Sequence, residues 1–124
     1  MPAIKSISLD FTDLEIYDHI LIGSTHEGEQ LTRQRHKDVM KIARQEFGTQ
    51  PYAIILDEKY QYSVDFDVMM MVRRDPQIIC ASIVSYRFTT IKALLGPAYI
   101  IKKPFKFFKN INDAIHWSHQ QLGK

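Results

Sequence analysis

Ile7, Leu9 and Phe11 alternate with Ser8 and Asp10, and Leu14 and Ile16 alternate again, the two-residue period of half-buried strands. Tyr17-Asp18-His19 stands where a tight turn would bring in Ile20-Leu21-Ile22 as a second arm, so the chain is predicted to open as a β-hairpin. Gly23 to Gln30 reads as a loop. The period then changes. Val39, Met40, Ala43 and Phe47 fall on one helical stripe, with Thr32 placed to cap the first turn and Gly48 to close the last, which predicts a helix over 32–47.

Tyr52-Ala53-Ile54-Ile55-Leu56-Asp57 is apolar on both faces until its final acid, as expected of a strand inside a covered sheet. Ser63 is expected to open a second helix through about Arg74, with the stripe Val64, Val68, Met71 and Val72. Asp65 and Asp67 lie at its start and Arg73 and Arg74 at its end, in keeping with the helix dipole. Ile78-Ile79-Cys80-Ala81-Ser82-Ile83-Val84 repeats the signature of a central strand. Arg87 to Tyr99 has helical spacing interrupted by Gly96-Pro97, Phe105 to Phe108 reads as a short strand, and Asn110 caps a last helix bearing Ile111, Ala114, Ile115, Ser118 and Leu122. Strands alternating with helices after residue 30 predict a mixed sheet whose later strands are parallel.

This order resembles the STAS-like domains related to bacterial anti-sigma-factor antagonists, in particular their small stand-alone relatives. The resemblance runs over roughly residues 14–122 and is carried by "YAIILD", "IICASIVSYRFT" and the closing "KPFKFFKNINDAIHW". It implies an α/β fold: a four- or five-stranded mixed sheet with about four helices packed mainly on one side, here entered through the N-terminal β-hairpin. It implies a non-enzymatic binding or regulatory role, through a protein partner and sometimes through a nucleotide or lipid. In the antagonists a serine just after the central strand, preceded by an acid and one further residue, is phosphorylated. Here Asp57 ends the strand, but five residues separate it from Ser63, and Asp57, Glu58, Asp65 and Asp67 would oppose a phosphate there, so the motif departs from a phospho-switch.

Composition narrows the reading further. With 124 residues, 45% hydrophobic and 24% charged, the chain is expected to form one domain spanning 1–124. No run approaches the roughly 18 apolar residues of a membrane span, and Met1-Pro2-Ala3-Ile4-Lys5 lacks the apolar core of a signal peptide, so a cytoplasmic setting is expected. Residues 1–75 carry 13 acids against 9 bases, whereas residues 76–112 carry six bases and no acid. Such asymmetry suits a solvated face or a second subunit, and a homodimer is expected, more readily than nucleic acid.

The chemistry-bearing residues are sparse. Cys80 lies within an apolar strand and reads as a small filler. His116 and His119 share a helix face, but two imidazoles are too few for zinc, and Asp57-Glu58-Lys59 is a contiguous tripeptide whose side chains diverge, so neither metal nor cofactor is expected. His19, His26 and His36 are scattered. No phosphate-cradling glycine pattern exists. Lys102 to Lys109, interleaved with Phe105, Phe107 and Phe108, reads as an edge strand whose Phe108 points outward, toward a subunit interface. If a small ligand binds, it belongs at the C-terminal ends of the parallel strands, which nominates Asp57, Ser63, Ser85, Tyr86 and Arg87. The alternative function is then that of a carrier for an apolar or anionic ligand, a lipid or a nucleotide, held between helix and sheet with Met40, Met69, Met70 and Met71 as an adaptable lining.

Overall fold

A computed structural model of the protein describes residues 4–86 and 99–124. Arg87, and the helix expected from it up to Tyr99, lie outside the described residues, Tyr99 itself excepted.

The chain enters on β1 (Lys5–Ser8), β2 (Thr12–Tyr17) and β3 (Ile20–Thr25), which pair antiparallel in sequence. The β2–β3 turn holds His19 at φ 58°, and its carbonyl accepts the Ala53 N–H at 3.0 Å, so the hairpin is anchored at its tip. The first strand stops at Ser8, and the Leu9 N–H bonds back to the Thr12 carbonyl to close the turn into β2. After a short β4 (Gln30–Leu31) comes α1 (Arg33–Phe47). Thr32 accepts the Arg35 N–H at its start, and Gly48, at φ 61°, returns its N–H to Arg44. The positive φ is why glycine stands there.

β5 (Tyr52–Glu58) and β7 (Ile78–Ser85) are parallel neighbours in the middle of the main sheet, whose order is β1-β2-β3-β5-β7 followed by β8 (Phe105–Phe108). The sheet has six strands, not four or five. The smaller number came with the family resemblance, and the extra strand is the hairpin's outer neighbour β1, which spans Lys5–Ser8 and not the alternating Ile7, Leu9 and Phe11, because the chain turns into β2 after Ser8.

A second correction concerns Ser63. It does not open a helix. Ser63–Val64 forms β6, parallel to β4, through bonds from Ser63 N–H to Glu29 and from Asp65 N–H to Leu31. These cross-strand bonds hold Ser63 to Asp65 extended beside Glu29 to Leu31, and β-branched Val64 suits an extended chain. The helix α2 starts at Phe66 and runs to Arg74, with Asp65 as its N-cap.

The main sheet is covered on both faces. The crossovers β3–α1–β5 and β5–α2–β7 step the same way along the sheet, and right-handed connections therefore put α1 and α2 on the same side. There Val39, Met40, Ala43, Phe47, Val68 and Val72 meet Leu14, Ile16, Leu21, Tyr52 and Ile54. The Tyr52 ring stacks on Phe47 at 4.7 Å and its hydroxyl donates to the Met40 sulfur at 3.2 Å. Burial pushes the Tyr52 phenol well above its ordinary pKa. On the opposite face α3 (Ile111–Gln121), capped by Asn110 through the Asp113 N–H, packs Ala114 and Ile115 against Ile22, Ala53, Ile55, Cys80 and Val84. Phe108 belongs to this second layer: its ring lies 5.7 Å from Trp117 of α3, and Lys106 sits over it. The outward Phe108 of the sequence reading is thus covered by the protein's own last helix, an intramolecular packing that strand alternation alone does not reveal.

Lys103 ties the approach to β8 into the fold, donating to the carbonyls of Asp75 and Ile78 at the α2–β7 turn. No described helix is long and apolar enough to cross a membrane.

Candidate functional site

Side chains alternate across β5 and β7, so the sheet divides the residues at their C-terminal ends. Ile54 and Leu56 face α1 and α2 while Ile55 faces α3, which puts Asp57 on the α3 side and Glu58 on the α1/α2 side. By the same count Tyr86 shares a face with Val84, and Ser85, in register with Glu58, takes the other.

On the α3 side Asp57 is buried and accepts a 3.0 Å hydrogen bond from the exposed Tyr86 hydroxyl. The Lys59 ammonium lies 3.9 Å away. Burial raises the Asp57 pKa; the Tyr86 bond and Lys59 pull it back, and Glu15 adds an upward push. The Tyr86 phenol is pushed up to about 12 by desolvation first and by Asp57 second. This is an internally satisfied pair. Ser63 lies apart from it, exposed in the small β4–β6 sheet, and Ser85 is half-buried with a partner of its own. Of the five nominated residues the structure therefore joins Asp57 to Tyr86, sets Ser85 behind them on the other face, and separates Ser63; Arg87 lies outside the described residues.

The larger feature is on the α1/α2 side. A cavity of about 530 Å³ runs between the sheet and the two helices. Its walls are apolar over most of their extent, among them Leu21, Ile54, Val68, Val72, Ile83 and Phe105, with Met40 and Met69 from the helices. Tight packing normally leaves no such space inside a domain, whereas ligand sites of several hundred Å³ are ordinary. Ala81 and Gly23 help to leave it open: neither projects a bulky group, and a Cβ at Gly23 would meet only the Leu14 side chain at 3.6 Å and Thr12 at 3.9 Å.

Polar groups are few among the described lining residues. Thr12 and Thr25 are register partners at the C-terminal end of β3, their hydroxyls 3.5 Å apart. Glu58 ends β5, Tyr62 precedes β6, and His36 lies in the first turns of α1. His36 is 5% exposed and also borders a smaller cleft of about 300 Å³ lined by Lys37, Lys41, Arg44 and Asp75. Burial lowers its pKa to about 4, with Asp75 partly offsetting this, so the ring is neutral near pH 7. The Tyr62 phenol is pushed well up by burial and then by Glu58 and Asp57.

In the sequence His36 is one of several scattered histidines and nothing singles out Tyr62. A signal for His36 is nonetheless present: it lies three and four residues before Val39 and Met40, a polar residue on an apolar stripe. Tyr62 carries no comparable signal, since its place depends on the short β4–β6 pairing. Of the four methionines proposed as an adaptable lining, Met40 and Met69 line the cavity and Met71 the smaller cleft. Cys80 is fully buried under α3, its thiol pushed up to about 11 by burial. His119 bonds the Asp18 carbonyl and His116 pairs with Gln120. Among the described residues no three His, Cys, Asp or Glu side chains converge as a metal site would need.

No protein-family model matches the chain, and no curated protein matches its sequence. Among solved structures it is similar to an uncharacterized protein of the DUF3478 family from Shewanella loihica, which has a SpoIIAA-like fold. The two are 14% identical, with a TM-score of 0.60 over 86% of this chain and 91% of that one. At that identity the likeness speaks for architecture alone: this chain has a SpoIIAA-like, STAS-like α/β fold.

Proposed function

We propose that this domain is a binding module, without a catalytic step of its own, that holds a small and mostly apolar ligand in the cavity between the sheet and α1/α2. One observation carries the reading: an apolar space of about 530 Å³ whose lining includes Thr25 and Glu58, the last residues of the parallel strands β3 and β5. That is where ligands enter α/β sheets of this kind. Filling it would recover apolar contact that an empty cavity forgoes.

The test is binding of a neutral apolar fluorophore, N-phenyl-1-naphthylamine, to the protein and to Ala81→Phe, alongside native mass spectrometry of gently purified protein. The expected result is saturable fluorescence enhancement that Ala81→Phe abolishes while the circular dichroism spectrum is retained. Absence of saturable binding by the wild type overturns the reading.

A second reading, recognition of a protein partner, is favoured by the surface around Ser63. Tyr60 and Phe66 flank it and are 43% and 58% exposed, and the same α2 supplies Val68 and Val72 to the cavity wall. On this reading Asp57, Ser63, Ser85, Tyr86 and Arg87 belong to a contact surface at the strand ends. A cytoplasmic, homodimeric protein is part of the same proposal.

A further inference from the structure

The polar lining of the cavity bears on what kind of ligand fits, an inference that rests on the binding reading above. His36 is buried and lines the cavity, yet its ring has no hydrogen-bond partner among the described residues. Tyr62 lines the same cavity and its hydroxyl likewise has no such partner. Two groups able to hydrogen-bond thus border a mostly apolar space, whose lining also includes Thr12 and Thr25, their hydroxyls in a long 3.5 Å contact.

Among the described residues Glu58 is the charged group in the cavity lining, while Lys37, Lys41, Arg44 and Asp75 lie in the smaller cleft that His36 also borders. No Lys or Arg lines the cavity among the described residues. Glu58, the one charged group among the described lining residues, would repel a carboxylate or phosphate. An ammonium head would have to use Glu58, which already has a partner of its own. Either ion would also lose its hydration among apolar walls. A hydroxyl both donates and accepts, and so do a neutral imidazole, a phenol and a threonine hydroxyl, so it can satisfy His36 in either tautomer.

We propose that His36, with Tyr62, is the hydrogen-bonding anchor of the cavity and that its ligand is an amphiphile with an uncharged, hydroxyl-bearing head on an apolar body. Its polar end lies at His36 and its tail runs toward Val72, Ala81 and Phe105.

The test is displacement of the bound fluorophore by 1-decanol, decanoate and decylamine near neutral pH, using wild type, His36→Leu, His36→Gln and Tyr62→Phe. Wild type should be displaced by decanol at a concentration about tenfold below that of either ion, the scale of one well-made hydrogen bond and a spared desolvation. His36→Leu should keep the fluorophore and lose most of that preference, and His36→Gln, which still donates and accepts, should restore part of it. Tyr62→Phe, which alters no packing, should reduce the preference and serves if His36→Leu does not fold. Equal or better displacement by decanoate or decylamine overturns this inference alone, as does a preference for decanol that survives His36→Leu or, in its place, Tyr62→Phe. A wild-type protein that never binds the fluorophore overturns the cavity reading, and this inference with it.

Discussion

The Tyr86 hydroxyl donates a 3.0 Å hydrogen bond to the Asp57 carboxylate, joining the C-terminal ends of the two central strands on the α3 side. Asp57 is 4% exposed whereas Tyr86 is 55% exposed, so the acid is held in place by a residue that solvent reaches. The bond favours the ionised acid and opposes the effect of burial. Tyr86→Phe should therefore raise the Asp57 pKa, a change read directly from its carboxyl carbon in an NMR titration. The cost in stability should be about 1 kcal/mol, because Tyr86 is half-exposed and water can take the place of its hydroxyl. An unchanged Asp57 titration in Tyr86→Phe would show that the bond does not govern the acid.

Cys80 permits a chemical test of the inner layer. It is 0% exposed, beneath α3, and its thiol is pushed up to about 11. Both effects suppress the thiolate that reacts. Labelling by a disulfide reagent should be slower than for an unfolded chain by about 10²-fold or more at mildly alkaline pH, and should accelerate to the free-thiol rate in denaturant. Rapid labelling of the native protein would place Cys80 at the surface and undo the pairing of β5 with β7 beneath α3.

Much of this architecture is legible before any coordinates, and the reasons are specific. Tyr52–Asp57 and Ile78–Val84 are apolar on both faces because both faces are covered, and they emerge as the adjacent parallel strands β5 and β7. Thr32, Gly48 and Asn110 act as caps because capping depends on local backbone groups. Ser63 misleads because a hydroxyl before an apolar stripe is an N-cap signal, and only the distant Gln30–Leu31 segment, through its backbone, turns Ser63–Val64 into a strand. Phe108 misleads for a related reason: alternation says which face it takes, not that Trp117 waits there. The nominated site residues were read from strand ends along the chain. The cavity is a property of what α1, α2 and the sheet leave unfilled between them, and no local pattern encodes a volume.

His36 should write its burial into the pH dependence of stability. Its pKa is about 4 in the folded protein against 6.5 for the free side chain. Between those values the unfolded chain binds a proton that the folded one does not, so stability rises with pH across that window. The contribution is complete above pH 6.5, is lost as pH falls to about 4, and amounts to about 3 kcal/mol at most. Asp57 acts with the opposite sign, since its folded pKa is raised and acid therefore favours its folded form. Comparison with His36→Leu isolates the histidine: chemical denaturation at a series of pH values should give a flatter profile for the variant between pH 4 and 6.5. Parallel profiles would mean that the ring protonates as easily inside the protein as outside it.

Ser82 carries the last prediction. It lies in β7 between Cys80 and Val84, is 0% exposed, and its hydroxyl has no hydrogen-bond partner among the described residues. Another fully buried serine, Ser118 of α3, shows the usual solution: its hydroxyl donates to the Ala114 carbonyl one turn back at 2.7 Å. A strand offers no such carbonyl to its own side chain, because its backbone groups are taken by the adjacent strands β5 and β8. Ser82 thus carries the desolvation cost of a hydroxyl without a compensating bond. Removing the oxygen removes that cost and leaves too small a space to matter, so Ser82→Ala should stabilise the protein by about 1 kcal/mol. Ser118→Ala deletes a satisfied bond and should be neutral or destabilising by up to about 1 kcal/mol. Urea denaturation of the two variants decides the matter, and a Ser82→Ala protein less stable than wild type would mean that the hydroxyl has found a partner.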